Sequence, residues 1–223
     1  MCGSAVWSDG METLNWHSDR FDIALNPDHD LMNEGFVLSV ETKLRQKVWR
    51  ALHLGTCCTT FSTAPSVAYR TVAEIYGCAA DFSKPRRRAK TLIGNRLAEV
   101  TARCIIAAFF GGCIITLENP LNSLLWRFPA IMKILYRLYA IRVDYCAYGR
   151  RYMKPTAIMT NCRELLPLDK RCPHLKKGET HSMVLRGQNP RTGKPMTLLG
   201  NVYPPRMVAV WCDLVNAAVR GRA

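Results

Sequence analysis

The 223-residue chain is poor in acid: 17 Asp and Glu stand against 31 Lys and Arg, a formal net charge of +14. Such an excess implies a polyanionic partner, nucleic acid being the usual one, or else a basic surface without a partner. Long apolar runs are missing. The longest, Cys104 to Leu117, is short for a membrane span and is broken by Gly111-Gly112, so no membrane partner is expected. No charged stretch followed by an apolar one opens the chain, so no secretory signal is expected. The ten cysteines lack the spacing of a disulfide framework. Reduced thiols and an intracellular location are therefore expected, nuclear in a eukaryote and cytoplasmic otherwise. Repeats and low-complexity tracts are absent as well. A hydrophobic share of 48% argues against disorder, and the length suits one medium domain with a small appendage.

The stretch from Leu54 to Ser62 organises the rest. Val48 to Leu54 is an apolar run with a β-branched start, which predicts a buried strand. Cys57 and Cys58 follow in the turn leaving it, where parallel sheets place reactive groups; an inert buried pair is the alternative. Gly55 and Thr56 keep that turn small, and Pro65 introduces a helical pattern.

Upstream, a short helix and a strand-like piece around Met11 to Trp16 are expected, then a helix over Val37 to Trp49 with Val40, Leu44 and Val48 on one face. Asp22 and Asp30 near strand ends can accept hydrogen bonds from a ribose or an adenine, or serve only as turn formers. Lys84 to Lys90 holds Arg86, Arg87 and Arg88, and Pro85 predicts an exposed loop there. Like charges packed so densely repel unless phosphates are near, although a solvated loop or a nuclear-import signal explains them equally.

Asn95 to Phe110 predicts a helix closed by Gly111-Gly112. A strand over Cys113 to Leu117 then delivers Glu118-Asn119-Pro120 at its carboxyl end. Asn122 to Tyr139 predicts a long helix kinked or restarted at Pro129, followed by strands over Ile141 to Tyr145 and Pro155 to Met159. Between those strands lie Arg150, Arg151 and Lys154. Cys162 to Met196 has no periodicity, and Arg206 to Val219 predicts a helix introduced by Pro204-Pro205. Strands alternating with helices predict an α/β fold with a doubly wound, mostly parallel sheet.

Three strand ends thus carry a cysteine, a Glu-Asn-Pro and a basic cluster, which such a sheet brings to one crevice. In this order the motifs resemble those of the DNA cytosine-5 methyltransferase family. Cys57-Cys58-Thr59-Thr60-Phe61-Ser62 is similar to the family's Pro-Cys-x-x-Phe-Ser, and Glu118-Asn119-Pro120 to its Glu-Asn-Val. Asp144-Tyr145-Cys146-Ala147-Tyr148-Gly149-Arg150-Arg151 loosely echoes its Asp-Tyr-Gly-x-x-Gln-x-Arg. Gly200-Asn201-Val202-Tyr203-Pro204-Pro205 resembles its closing Gly-Asn-Ala-Val-Pro-Pro.

The resemblance implies a Rossmann-like methyltransferase fold and methyl transfer from S-adenosylmethionine to C5 of a flipped cytosine. Cys58 would be the covalent nucleophile. Glu118 would assist at N3 with Asn119 beside it, and Arg151 would contact the base or a phosphate. Asp22, Asp30, Leu31, Cys57 and Asn201 would surround the cofactor, while Lys84, Arg86, Arg87, Arg88 and Lys90 would bind DNA. The implied units are a catalytic core over 1–161, a target-recognition region over 162–197, and a segment over 198–223 returning to the core.

Three features depart from the family: Cys57 stands for its proline, Pro120 for its valine, and no Gly-rich cofactor loop precedes Met11. A shortened relative that only binds nucleic acid, and an RNA cytosine-5 methyltransferase, are the competing expectations. No metal is expected: Cys162, Cys172, His174 and His181, with Cys146, are weak zinc candidates whose spacing does not match a two-by-two knuckle. Phosphatase and papain-like readings of the central cysteines fail for want of their companion residues.

Overall fold

Four short apolar segments form one sheet because successive side chains along each serve opposite faces, and both faces are covered. The computed structural model describes residues 5–63 and 68–221; Cys2-Gly3-Ser4 and Pro65 lie outside them. Strands β1 (Ala51–Gly55), β2 (Ile114–Pro120), β3 (Tyr139–Asp144) and β4 (Pro155–Thr160) lie in the order β1-β2-β4-β3. Strand β1 pairs parallel to β2, whereas β4 runs antiparallel to both β2 and β3.

The fold is thus α/β with an open, mixed, four-stranded sheet, which corrects the mostly parallel expectation. Its cause is the connection from Tyr145 to Lys154. Parallel neighbours need a crossover of about a dozen residues or more, so a link this short returns the chain antiparallel.

The helices are α1 (Val6–Glu12), α2 (Glu34–Arg45), α3 (Ala79–Phe82), α4 (Pro85–Phe110), α5 (Pro129–Leu135), α6 (Pro173–Lys177) and α7 (Pro205–Arg220). Ile114, Ile141, Val143 and Ile158 pack with Met11 of α1 and Met207, Trp211 and Val215 of α7. Their sheet neighbours Leu54, Ile115, Leu117 and Met159 pack on the other face with α2, α4 and α5. Helix α7 buries Met207, Val208, Trp211, Cys212, Val215 and Val219, the spacing of an amphipathic helix against a core. At the far end of α4, Gly111 lies against the carbonyl of Leu44, where any Cβ would overlap.

Several local expectations change. Helix α1 ends at Glu12, so Met11 to Trp16 is a helix end and turn rather than a strand, with Asn15 at φ 64°. Val48 stays exposed because Lys47, at φ 60°, turns the chain out of α2 before β1 begins. The basic run is not a loop: Pro85 occupies the first turn of α4, where a missing N–H costs nothing. The long helix expected over Asn122 to Tyr139 is a 3-10 turn, Leu124–Arg127, followed by the two-turn α5. Within the irregular region, a 3-10 turn, Arg163–Leu168, buries Leu165 and Leu168 in the α7-side core. Among the described residues no helix is long and apolar enough to cross a membrane.

Candidate functional site

Pairing register assembles the site. Gly55, the end of β1, lies opposite Glu118 of β2; Pro120, the end of β2, lies opposite Thr156 of β4; and Pro155 lies opposite Asp144, the end of β3. One edge of the sheet therefore collects Cys57 and Cys58 after β1, Glu118 and Asn119 on β2, Tyr145 after β3, and Lys154 before β4. Alternation turns Thr116 and Glu118 towards the α7 side, where Tyr203 sits just ahead of α7.

Glu118 is only 6% exposed. Its Oε2 accepts a hydrogen bond from Tyr203 Oη at 3.1 Å, while Lys154 Nζ stands 3.6 Å from Oε1. Oε1 itself is buried and receives no hydrogen bond among the described residues. Lys154 Nζ donates to Gly200 O at 2.8 Å and to Tyr145 Oη at 3.2 Å, so its ammonium is held over the site from two sides.

Behind Tyr203 the chain continues: His53 Nε2 lies 3.1 Å from Tyr203 Oη, and His53 Nδ1 lies 3.1 Å from Thr116 Oγ1. Tyr203 spends its hydrogen on Glu118, so towards His53 its oxygen can only accept. The rings of Trp7 and Trp211 lie 5.1 and 4.9 Å from His53, and this enclosure pushes its pKa down to about 3.

The linkage has a definite sign. Unfolded His53 takes up a proton below pH 6.5 and folded His53 does not until about pH 3, so stability falls as pH drops through that window. Urea melts of the wild type should lose roughly 1–2 kcal/mol more between pH 7 and pH 5 than melts of His53→Gln. Equal acid slopes in the two proteins would mean that His53 is protonated inside the fold.

Cys58 is partly buried, and burial foremost raises its thiol pKa; the nearby Cys57 and Glu118 add to that rise, and the Lys154 charge opposes it. Its loop is tightly held. Phe61 N–H donates to Cys58 O at 3.0 Å, and Asn119 Nδ2 donates to Thr56 O at 2.7 Å. Arg70 Nε and Nη2 donate to Thr60 O and Thr60 Oγ1. Gly94 of α4 lies against Thr60 and Arg70, leaving no room for a Cβ. Asn119 is thereby a positioning residue for the Cys58 turn.

Other expected residues lie elsewhere. Cys57 is exposed, with its thiol 3.3 Å from Thr59 Oγ1. Arg151 is exposed and reaches Ser182 Oγ at 3.3 Å, and the cation beside Glu118 is Lys154 instead. Asp22 and Asp30 each accept the amide two residues on, from Ala24 and Met32, both at 2.9 Å, as turn formers do. Asn201 is exposed at the end of a 3-10 turn. Lys84 precedes α4, and Arg86, Arg88 and Lys90 are exposed on its first turns, while Arg87 stacks on Tyr69 at 3.8 Å and donates to Ala68 O. Cys162 is buried in the core, 3.1 Å from Glu164, apart from a cluster formed by Cys146, Cys172, His174 and His181. A cavity of about 540 Å³ beside β1 is lined by Asp22, Leu31, Trp49, His53 and Gly55 among others; Asp30, Cys57, Cys58, Glu118 and Asn201 are not on it.

Lys154 was expected only as a member of the basic cluster, and Tyr145 and Tyr203 only as members of motifs; His53 and Arg70 were not expected at all. Lys154 stands immediately before β4 and Tyr203 two residues before α7, which brings both to the same sheet edge. His53 and Arg70 carried no such signal. No protein-family profile, curated protein or solved structure matches this chain.

Proposed function

We propose that this chain activates a cytosine of nucleic acid for substitution at C5, with Cys58 adding to C6 and Glu118 serving N3. One observation carries the reading: the buried Oε1 of Glu118 has the Lys154 ammonium at 3.6 Å but no hydrogen-bond donor among the described residues, on the edge where Cys58 lies. An acceptor left without a hydrogen bond costs about 1–3 kcal/mol, and a proton shared with a pyrimidine nitrogen supplies that bond. The electron flow then balances. As the thiolate of Cys58 bonds to C6, the C5–C6 pair moves to C5 and delocalises towards N3. The proton between Glu118 and N3 neutralises that charge, and C5 bonds to an electrophile whose leaving group departs with the bonding pair. The C5 proton goes to solvent water, and the C5–H pair re-forms the C5–C6 double bond as the Cys58 thiolate leaves. Tyr203 pins Oε2 so that Oε1 faces the base, and the Lys154 charge favours the thiolate.

S-adenosylmethionine is the methyl donor that the resemblance to cytosine-5 methyltransferases implies. The five residues it assigns to the donor do not form one site. Asp22 and Leu31 line the cavity beside β1, Asp30, Cys57 and Asn201 lie off it, and both aspartates are engaged by their own turns. The chemistry derived from these residues therefore ends at the activated ring. Helices on both faces and the β1–α4–β2 crossover support the doubly wound, Rossmann-like fold expected of such an enzyme. The test needs no donor: an oligonucleotide carrying deuterium at cytosine C5 should lose it to water with the wild type. Retention of the label in DNA and in RNA alike would leave a protein that only binds nucleic acid.

The first turn of α4 supports a polyanionic partner, because it stacks cations at a helix N-terminus with no acid among them. Arg86 and Lys90, one turn apart and exposed, are the pair to remove. Arg86→Ala with Lys90→Ala should lower the slope of log affinity against log salt by about 2, read by anisotropy of a labelled oligonucleotide. An unchanged slope would take the phosphates away from this helix.

A further inference from the structure

We propose that Cys146, Cys172, His174 and His181 hold one zinc ion in a closed structural site. The four ligand atoms lie within 4.8 Å of one another. Tetrahedral zinc with bonds of about 2.0–2.3 Å sets its ligand atoms roughly 3.3–3.8 Å apart, so a contraction of about 1 Å completes the shell. Cys172 Sγ already stands 3.3 Å from His181 Nε2, and the two imidazoles meet edge to face with centroids 4.8 Å apart. A second observation points the same way: Nδ1 of His174 is buried and has no hydrogen-bond partner among the described residues.

The chain holds the two sulfurs on one rigid strand end. Cys146 lies in the 3-10 turn Tyr145–Tyr148 that follows β3 directly. Cys172 precedes α6, and its amide donates to Asp144 Oδ2 at 2.7 Å. Asp144 is the last residue of β3, fully buried and paired with Arg142 at 3.0 Å, so it fixes Cys172 beside Cys146. The intervening Pro173 sets His174 on the first turn of α6. Gly178, at φ 66°, ends that helix and turns the chain back so that His181 can close the cluster.

Two sulfurs and two ring nitrogens in a compact tetrahedral set suit zinc over magnesium or calcium, which take oxygen ligands. Both thiols release their protons to solvent on binding. All four positions come from protein and the two cysteines are buried, so none is left for water or substrate. The ion would tie the irregular stretch after β4 to the sheet. It would also steady both neighbours of the cluster: Tyr145, which holds Lys154, and Ser182, which holds Arg151. This inference does not depend on the cytosine chemistry.

The test uses the full chain without a histidine tag, purified from zinc-supplemented cells without chelator. Elemental analysis should find one zinc per chain. Cys172→Ser and His181→Ala should lose it, and Cys162→Ser should keep it. Should the cluster variants fail to fold, wild-type protein stripped of metal and titrated with cobalt should develop a tetrahedral thiolate–cobalt absorption that saturates at one equivalent and is displaced by zinc. Folded wild type with neither zinc nor that absorption, or with Cys146 and Cys172 joined as a disulfide, overturns the site, as does metal loss in Cys162→Ser alone.

Discussion

Under the cytosine chemistry proposed above, Cys58→Ala is expected to end C5 exchange and to leave the proposed nucleic-acid affinity unchanged. Burial, Lys154, Cys57 and Glu118 all bear on the ionisation of Cys58, whereas Cys57 itself is exposed beside Thr59. Binding is assigned to cations on α4, on a different element. Loss of C5 deuterium exchange with unchanged affinity is therefore the expected pair of results. Exchange that survives in Cys58→Ala would remove the sulfur from the mechanism.

The surroundings of the thiol make a finer test. Burial raises the Cys58 pKa, so in a Cys57→Ser background its alkylation should be slow at neutral pH and rise with pH beyond the range of an ordinary thiol. Lys154→Met removes the charge that favours the thiolate and should slow alkylation by roughly 3–10-fold. Glu118→Gln removes a charge that opposes it and should act in the other direction. Shifts of the same sign in both variants would mean that the two charges do not bracket the sulfur.

Arg70→Met is expected to cost more stability than any surface change. Arg70 is 1% exposed, and all five of its donor hydrogens are engaged by neutral acceptors. Nε reaches Thr60 O at 3.1 Å; Nη1 reaches Ile75 O at 2.8 Å and Asn95 Oδ1 at 2.5 Å; Nη2 reaches Thr60 Oγ1 and Thr91 O, both at 2.9 Å. Phe61 stacks beneath the guanidinium at 4.0 Å. Burial lowers its pKa to about 10, which still leaves it charged at neutral pH.

Methionine fills similar space but strands three buried carbonyls, for a loss of about 3–4 kcal/mol, or roughly 10 °C in melting temperature. Lysine keeps the charge without the planar fork and should recover only part of that loss. Because Arg70 clamps Thr60, two residues past Cys58, both variants should also speed alkylation of Cys58 in the folded protein. A melting temperature unchanged in Arg70→Met would mean that the turn holds itself.

Much of the architecture is written locally. A continuous apolar run starts β2, alternation marks Ile141 and Val143 of β3, the spacing of Met207, Trp211 and Val215 marks α7, and Pro129 starts α5 after a 3-10 turn. That Cys58 and Glu118 share one sheet edge is legible too, because the ends of adjacent parallel strands lie side by side. Pro85 misleads because the same ring that interrupts a helix also begins one well.

What only the tertiary structure decided is every pairing across the chain. The reversed β4, the choice of Lys154 over Arg151 beside Glu118, the separation of Cys162 from the sulfur–imidazole cluster that keeps Cys146, and the enclosure of His53 and Arg70 all belong here. The reason is one of range. Periods of 2 and 3.6 residues report which face a side chain serves, but not which distant residue meets it there. That is set when two packed faces close on one sheet, and burial then decides which polar groups find hydrogen bonds and which, like Glu118 Oε1, find none among the described residues.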